Sequence, residues 1–324
     1  MGVNGVLLAI DAGNSKTDVA VVSRGGAVLG AARGGGFQPP VVGVGTAVDA
    51  LAEIVARACA EAGVPPEFAH VAACLANADL PVEETELRDE VLSRGWSGSV
   101  RVHNDTFAIL RAGIDEPRGV AVVCGAGINC VGMTPDGRTA RFPAIGKLSG
   151  DWGGGGGMAD EALWFAARGE DGRGEPTELS RALPAHFGLD TMYALIEALH
   201  LGRVPAERRH ELTPVLFRVS AAGDPVALAL VHRLAEEVVV MSTVALRRLG
   251  LLDEPAPVLL GGSVLAARHP QLEERVRALF AERAPKAAVG FVTAPPVLGA
   301  GLLALDEWAE GPEAAARLRE HYGA

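Results

Sequence analysis

Apolar and polar positions switch between two periods along this chain, and the switches outline its elements. Residues 6–10 form an unbroken apolar run of the kind a strand buried on both faces needs, and 19–22 and 27–32 follow it around the turn Arg24-Gly25-Gly26. Residues 44–62 change to helical spacing, with Val48, Leu51, Ile54 and Val55 on one stripe, a stop at Gly63 and Pro65 beyond. Residues 68–75 predict a buried strand, 83–94 an amphipathic helix, and 99–103 a short strand that enters Asn104-Asp105 ahead of a helix over 106–111. The pattern then starts again: an apolar strand at 120–124, the turn Gly125-Ala126-Gly127, a strand at 129–133, the tight turn Pro135-Asp136-Gly137 and a strand at 139–142. Each half therefore opens with strand, glycine turn, strand, tight turn, strand. The repeat lies in the order of elements rather than in residue identity.

The remainder is mostly helical. Gly153–Gly157 reads as the most flexible stretch and leads into a helix over 159–168. Residues 177–249 are almost wholly helical, punctuated by Pro176, Pro205 and Gly223-Asp224-Pro225. A strand at 257–260 runs into Gly261-Gly262-Ser263, helices are predicted at 271–283 and 297–308, and the charged, Ala-rich tail after Gly311 reads as a surface helix. These elements predict an α/β protein of two similar lobes, 1–117 and 118–324, with helical insertions in the second and the last helices packing back on the first. Lobes of this kind are expected to enclose a ligand cleft.

Composition narrows the classes. With 324 residues, 49% hydrophobic and 21% charged, the chain is globular and long enough for two domains. A net charge of -11 argues against nucleic acid or an anionic membrane as partner, because either needs a basic face. Cys59, Cys74, Cys124 and Cys130 show no metal-ligand spacing and read as buried thiols of a reducing cytoplasm. The start lacks a signal-peptide pattern, and no apolar run reaches the ~18 residues of a membrane span. A cytoplasmic location is the expectation. His103, His186, His200, His210 and His232 show no spacing with acidic partners and read as surface or helix residues.

Candidate chemistry lies in the strand-end turns. In Asp11-Ala-Gly-Asn-Ser-Lys-Thr-Asp18, Gly13 permits close approach of backbone N–H groups to a phosphate, and Ser15 and Lys16 add hydroxyl and cationic donors. Lys16 is one of only three lysines, with Lys147 and Lys286. Asp11 is placed to hold Mg²⁺ through waters. The turn lacks the G-x-x-x-x-G-K-[ST] spacing of a Walker A loop, and an ordinary hairpin uses the same residue types. Asp105 ends a strand and could take the proton of an attacking hydroxyl, or it could cap the following helix; Asn104 can cap in its place. Gly125-Ala126-Gly127 could present N–H groups to phosphate or simply close a hairpin. Asp151 could bind a hydroxyl or cap a helix, and Gly261-Gly262-Ser263 could approach a ribose or merely turn the chain.

The order of these segments resembles the acetate and sugar kinase, Hsc70 and actin superfamily, and within it the N-acetylglucosamine kinase branch of the BadF/BadG/BcrA/BcrD-type ATPases. The resemblance runs over about residues 6–157 and returns at 258–265 and 299–305. It implies two ribonuclease-H-like (actin-like) lobes around a nucleotide cleft, ATP and Mg²⁺ as cofactors, a small sugar as substrate, and transfer to a 6-hydroxyl. A homodimer is also expected. By the resemblance, Gly13, Asn14, Ser15 and Lys16 form the first phosphate loop; Gly125, Ala126 and Gly127 the second; and Gly261, Gly262 and Ser263 the adenosine loop. Asp105 is then the general base and Asp11 the metal residue. Gln38, Asn104, Ile128, Asn129 and Asp151 border the sugar together with Asp105. Ser15, Gln38, Ala126 and Ile128 depart from the family pattern, which has Thr, Asn, Thr and Ser there. The departures at Gln38 and Ala126 motivate an alternative reading, a regulatory ATP-binding protein that closes without turnover.

Overall fold

The structure, a computed structural model, describes residues 5–308 and 311–324. The chain divides into two compact units. One comprises Met1–Ala121, Val131–Pro143 and Phe291–Ala324, the other Val122–Cys130 and Ala144–Gly290.

In chain order the elements begin with β1 (Val6–Ala12), β2 (Lys16–Ser23), β3 (Val28–Gly35), α1 (Pro39–Val42), α2 (Val44–Ala62), β4 (His70–Leu75), α3 (Pro81–Ser93), β5 (Val100–Asn104) and α4 (Thr106–Ala112). There follow β6 (Gly119–Cys124), β7 (Ile128–Met133), β8 (Thr139–Arg141), α5 (Gly154–Asp171), α6 (Leu179–His186), α7 (Met192–His200), α8 (Leu212–Ala221) and α9 (Pro225–Leu249). The chain closes with β9 (Ala256–Gly261), α10 (Ser263–Ala266), α11 (Pro270–Arg283), β10 (Ala287–Phe291), α12 (Pro296–Glu307) and α13 (Pro312–Tyr322).

The first sheet has the order β3-β2-β1-β4-β5, with β2 antiparallel to β1 and to β3, β4 parallel to β1, and β5 parallel to β4. The second has the order β10-β9-β6-β7-β8. Read from β8, this is the first arrangement again: a meander on one side of the founding strand and two later strands on the other.

Both faces of β1 are buried, which is why it reads as an unbroken apolar run. Leu8, Ile10 and Ala12 share one core cluster with Val48, Leu51 and Val55 of α2 and Val71, Ala73 and Leu75 of β4. Ala9, on the opposite face of β1, meets α12, where Gly301 passes close enough for a Cβ to reach 3.8 Å from the Ala9 Cβ. Two residues earlier, α12 lies on α4 so tightly that a Cβ at Gly299 would fall 1.8 Å from the Ala108 carbonyl oxygen. Helix α2 stops as its sequence predicts: Gly63 adopts φ 65° and its amide bonds back to Ala60 and Cys59. Helix α9 starts on Asp224, whose side chain accepts from the Ala227 amide at 2.8 Å, with Pro225 in the first turn.

Two readings change, and two elements appear that the sequence pattern did not place. Gly154–Gly157 is the ordered first turn of α5 rather than a flexible lead-in. Residues 287–291 form β10, whose weak, half-buried pattern carried no strand signal. Pro39–Val42 forms the short α1 directly after Gln38. The tail helix α13 is docked rather than a plain surface helix: Leu318 is fully buried, and Arg319 donates to the Ala112 carbonyl at 2.9 Å.

Arg111 is a buried charge that ties this layer together. Its guanidinium is 3% exposed, makes two bonds to Asp306 at 2.7 and 3.0 Å, and donates to the Ile114 carbonyl at 2.9 Å. Arg111→Ala removes the bidentate pair and strands Asp306, so a loss of about 2–4 kcal/mol in denaturant unfolding is expected. A change below ~0.5 kcal/mol would show the pair to be dispensable. The four cysteines are buried and unbridged. Among the described residues, no group of three or more His, Cys, Asp or Glu side chains is placed to hold a metal. No single described helix is long and apolar enough to cross a membrane.

Candidate functional site

In the first unit the strand ends gather a polar network. The β1–β2 turn is closed by a bond from the Gly13 amide to the Lys16 carbonyl at 2.9 Å, and the Phe37 amide donates to the Gly13 carbonyl at 2.9 Å. Gly36 lies so close to this turn that a Cβ would sit 2.0 Å from the Asn14 carbonyl oxygen. Gln38 Nε2 donates to that carbonyl at 2.8 Å, so the residue expected at the sugar braces the β1–β2 turn. Asn77, in the left-handed region at φ 63°, donates to Asn14 Oδ1 at 3.1 Å and to the Phe37 carbonyl at 3.2 Å.

The sequence places Lys16 in the turn, but the structure places it as the first residue of β2. Its ammonium lies 3.1 Å from Asp18 Oδ2, and Arg33 grips the same carboxylate with Nε at 2.5 Å and Nη2 at 3.1 Å. Burial works against the Asp18 charge, yet the bonds from Arg33 and Lys16 prevail and hold its carboxyl below the usual range.

Asp11 and Asp105 are the unusual acids of this unit. Register aligns Asp11 of β1 with Cys74 of β4 and His103 of β5, so Asp105 lies just beyond the end of β5. Burial, then the charges of Asp105 and Asp18, push the Asp11 carboxyl up to about 7. Desolvation also raises the Asp105 carboxyl to about 6, against the lowering influence of the nearby backbone amides. The Asp105 side chain does not cap α4; Asn104 Oδ1 takes the Thr106 amide at 3.0 Å, while its Nδ2 donates to Asp79 at 2.8 Å. His103, half-buried in β5 rather than on a helix, packs against Phe107, and desolvation lowers it to about 4, so it stays neutral.

Sequence reasoning passed over Asn77, Asp79, Asp18 and Arg33. The available signal was position: Asn77 and Asp79 follow β4 at its carboxyl end, where parallel strands present their ligand-facing loops.

The second unit assembles three glycine segments. The Gly125 amide donates to the Gly127 carbonyl at 2.9 Å, and the Gly125 and Ala126 carbonyls accept from the amides of Gly155 and Gly156 at 2.7 and 3.1 Å. The first turn of α5 thus holds the loop by its carbonyls, a brace that uses neither the Ala126 nor the Gly127 amide. Thr213 Oγ donates to the Gly155 carbonyl at 2.6 Å. Gly262, at φ 83°, sits against the end of β6, where a Cβ would come within 2.4 Å of the Cys124 carbonyl oxygen. That approach brings Ser263 beside Gly125.

Two cavities border this assembly. The first, about 330 Å³, is lined by residues that include Gly125, Ala126, Ser263, Thr213, Phe217 and His269. Phe217 is buried and stacks on His269 with ring centres 3.9 Å apart. The second, about 260 Å³, is lined by residues that include Gly127, Ile128, Lys147 and Asp151. Asp151 Oδ2 accepts from Ser149 Oγ at 2.5 Å and from the Gly146 amide at 3.1 Å, which closes its loop and caps no helix. Asn129 lines neither cavity; its Oδ1 accepts from the Cys130 amide at 2.7 Å.

Two sheets of one strand order, each opening with a glycine turn at the end of its founding strand, define the two-lobed actin-like fold of sugar kinases. The profile of the BadF/BadG/BcrA/BcrD ATPase family matches residues 8–304, and the chain belongs to that family. It is 27% identical over 190 residues to an N-acetylmuramic acid/N-acetylglucosamine kinase of Clostridium acetobutylicum, a match covering 59% of this chain and 62% of the relative. It is 26% identical over 230 residues to an N-acetyl-D-glucosamine kinase of Dictyostelium discoideum, covering 68% and 72%. The chain therefore spans less than two thirds of the length of the first of these relatives. A candidate N-acetylglucosamine kinase of known structure from Chromobacterium violaceum shares the fold, with a TM-score of 0.69, 23% identity and coverage of 93% and 99%.

Proposed function

We propose that this protein transfers the γ-phosphoryl group of Mg·ATP to a hydroxyl of an amino sugar, the 6-hydroxyl of N-acetylglucosamine first among the choices. Membership of an ATPase family and the names of the two relatives support the reading. The observation that carries it is Asp105: a half-buried carboxyl just beyond a strand end, spared from helix capping by Asn104 and raised to about 6. A carboxyl so placed can accept the proton of a sugar hydroxyl as its oxygen attacks phosphorus.

Asp11 fits a divalent cation. Its burial and the two neighbouring carboxylates push it up to about 7 despite Lys16 and Arg33, so a doubly charged ion would restore its charged form. Bound there through water, Mg²⁺ would neutralise phosphate charge. On the second unit, the Gly125–Gly127 loop and Ser263 would hold the nucleotide, and Ile128 and Asp151 would border the sugar.

The test is ADP release with ATP against hexoses, hexosamines and N-acetyl-hexosamines. Sugar-dependent release is expected; stabilisation by ATP with no turnover on any sugar would instead favour a nucleotide-driven switch. The pH profile adds a second check. The base works only when charged, so kcat/KM should rise about tenfold per pH unit on the acid side and level off above about 6–7, where the coupled pair Asp105 and Asp11 is ionised. A flat profile between about pH 5 and 8 would remove Asp105 from the role.

A further inference from the structure

The 330 Å³ cavity lies wholly within the second unit, with Gly125 and Ser263 among its walls. Much of the remaining wall is apolar, Pro214, Phe217 and Val264 included. A cavity of this kind orients its ligand through a few polar groups. Thr213 is one, but its hydroxyl is buried and already donates to the Gly155 carbonyl. His210 is another. It is exposed, lines the cavity and stands on the short 3₁₀ helix Ala206–Glu211. That helix is anchored to α5: Arg209 reaches Asp160 at 2.9 Å, and the Thr213 bond to Gly155 follows just beyond its end.

The His210 ring has one nitrogen committed. Nδ1 bonds to the Glu207 carbonyl, and a carbonyl oxygen can only accept, so Nδ1 carries the proton. In the neutral ring Nε2 is then an acceptor. We infer that His210 reads the base of the bound nucleotide, its Nε2 accepting from the exocyclic amino group of adenine. This rests on the reading of the Gly125–Gly127 loop and Ser263 as holding a nucleotide, and deepens it. Gly125 and Ser263 border the same cavity as His210, so a nucleotide held by them has this space for its base. The partly exposed His269, stacked on Phe217, adds aromatic surface suited to a purine. A site built around a polar partner rejects an analogue that lacks it.

Other bases also carry donors, so the test uses a nucleotide that differs from ATP at this group alone: purine riboside 5′-triphosphate, in which hydrogen replaces the amino group. The quantity read is the ratio of sugar-dependent kcat/KM for ATP to that for the analogue. Wild type should favour ATP by about tenfold, the size of one hydrogen bond. His210→Phe keeps a ring and removes the acceptor, and it should bring the ratio to about one. Matched nucleotides cancel any general damage to the fold. A wild-type ratio near one, or a preference for ATP that survives in the variant, overturns the assignment. The dissociation constants of the two nucleotides give the same ratio without turnover. If a sugar is phosphorylated with no preference between the nucleotides, the kinase reading stands and this inference fails. If no sugar is phosphorylated, the kinase reading fails, and the ratio of dissociation constants decides the inference on its own. If neither nucleotide binds, both fail.

Discussion

Asp105→Asn should reduce sugar-dependent turnover by about 10²–10⁴-fold while ATP continues to stabilise the protein. The amide fills the same space and lacks the basic oxygen. Unfolding cannot imitate this result, because the variant should also be the more stable protein above neutral pH. The native carboxyl is raised to about 6 from 3.8, so between those values the folded state binds more protons than the unfolded one. The contribution of Asp105 to stability therefore falls as pH rises through that window and stays low above it. The whole fall amounts to about 3 kcal/mol at most. Asn has no charge to bury, so the variant's advantage should grow from about pH 4 to about pH 7 in paired melting curves. Lost activity together with gained stability is the mark of a residue kept for chemistry. Wild-type turnover in the variant would sink the assignment of the base.

The second large effect belongs to the five-glycine run. At Gly154, φ is 72°, and a Cβ would stand 2.5 Å from both the Ala126 carbonyl oxygen and the Gly127 Cα. Both neighbours are backbone and cannot swing away as a flexible side chain would. Gly154→Ala must displace the loop that the Gly155 and Gly156 amides hold. An unfolding loss of about 2–4 kcal/mol and a nucleotide affinity weakened by tenfold or more are expected, read by denaturant titration and nucleotide-dependent thermal shift. Gly157→Ala is the matched control. It lies three residues along α5 with open space around its Cβ and no positive φ, so a gain of about 0.5–1 kcal/mol is expected. If both variants behave alike, the run is a flexible hinge and not a packed brace.

How much could be read in advance differs between elements for identifiable reasons. The strands β1, β4 and β6 were legible because burial on both faces demands an unbroken apolar run. Helix α2 was legible because its stripe and its Gly63 stop are local. β10 was missed because it is only half buried and its residues carry no alternation. The glycine run was misjudged because composition counts missing side chains as freedom, whereas here their absence lets α5 touch a loop nearly thirty residues earlier in the chain. The docking of α13 was invisible for a similar reason: Ala314 and Leu318 become a buried face only once Gly26 and Gly301 let the helix approach.

The chemistry divides in the same way. Which groups stand at the ends of the strands is settled by the order of residues alone: Asp11 in the last residues of β1 and Gly13 after it, Asn104 closing β5 and Asp105 after it, Gly125 and Gly127 after β6, Gly262 after β9. Those assignments depend on residue type and on local periodicity, both of which are written along the chain. The state of each group is settled by the folded arrangement. It gave helix capping to Asn104 and left Asp105 uncapped, tied Lys16 to Asp18 and Arg33, and set Gln38 and Asn77 against Asn14. Burial and partnership depend on distant segments meeting in space. A carboxyl near 6 is therefore a property of the fold, even though its position was legible in the sequence.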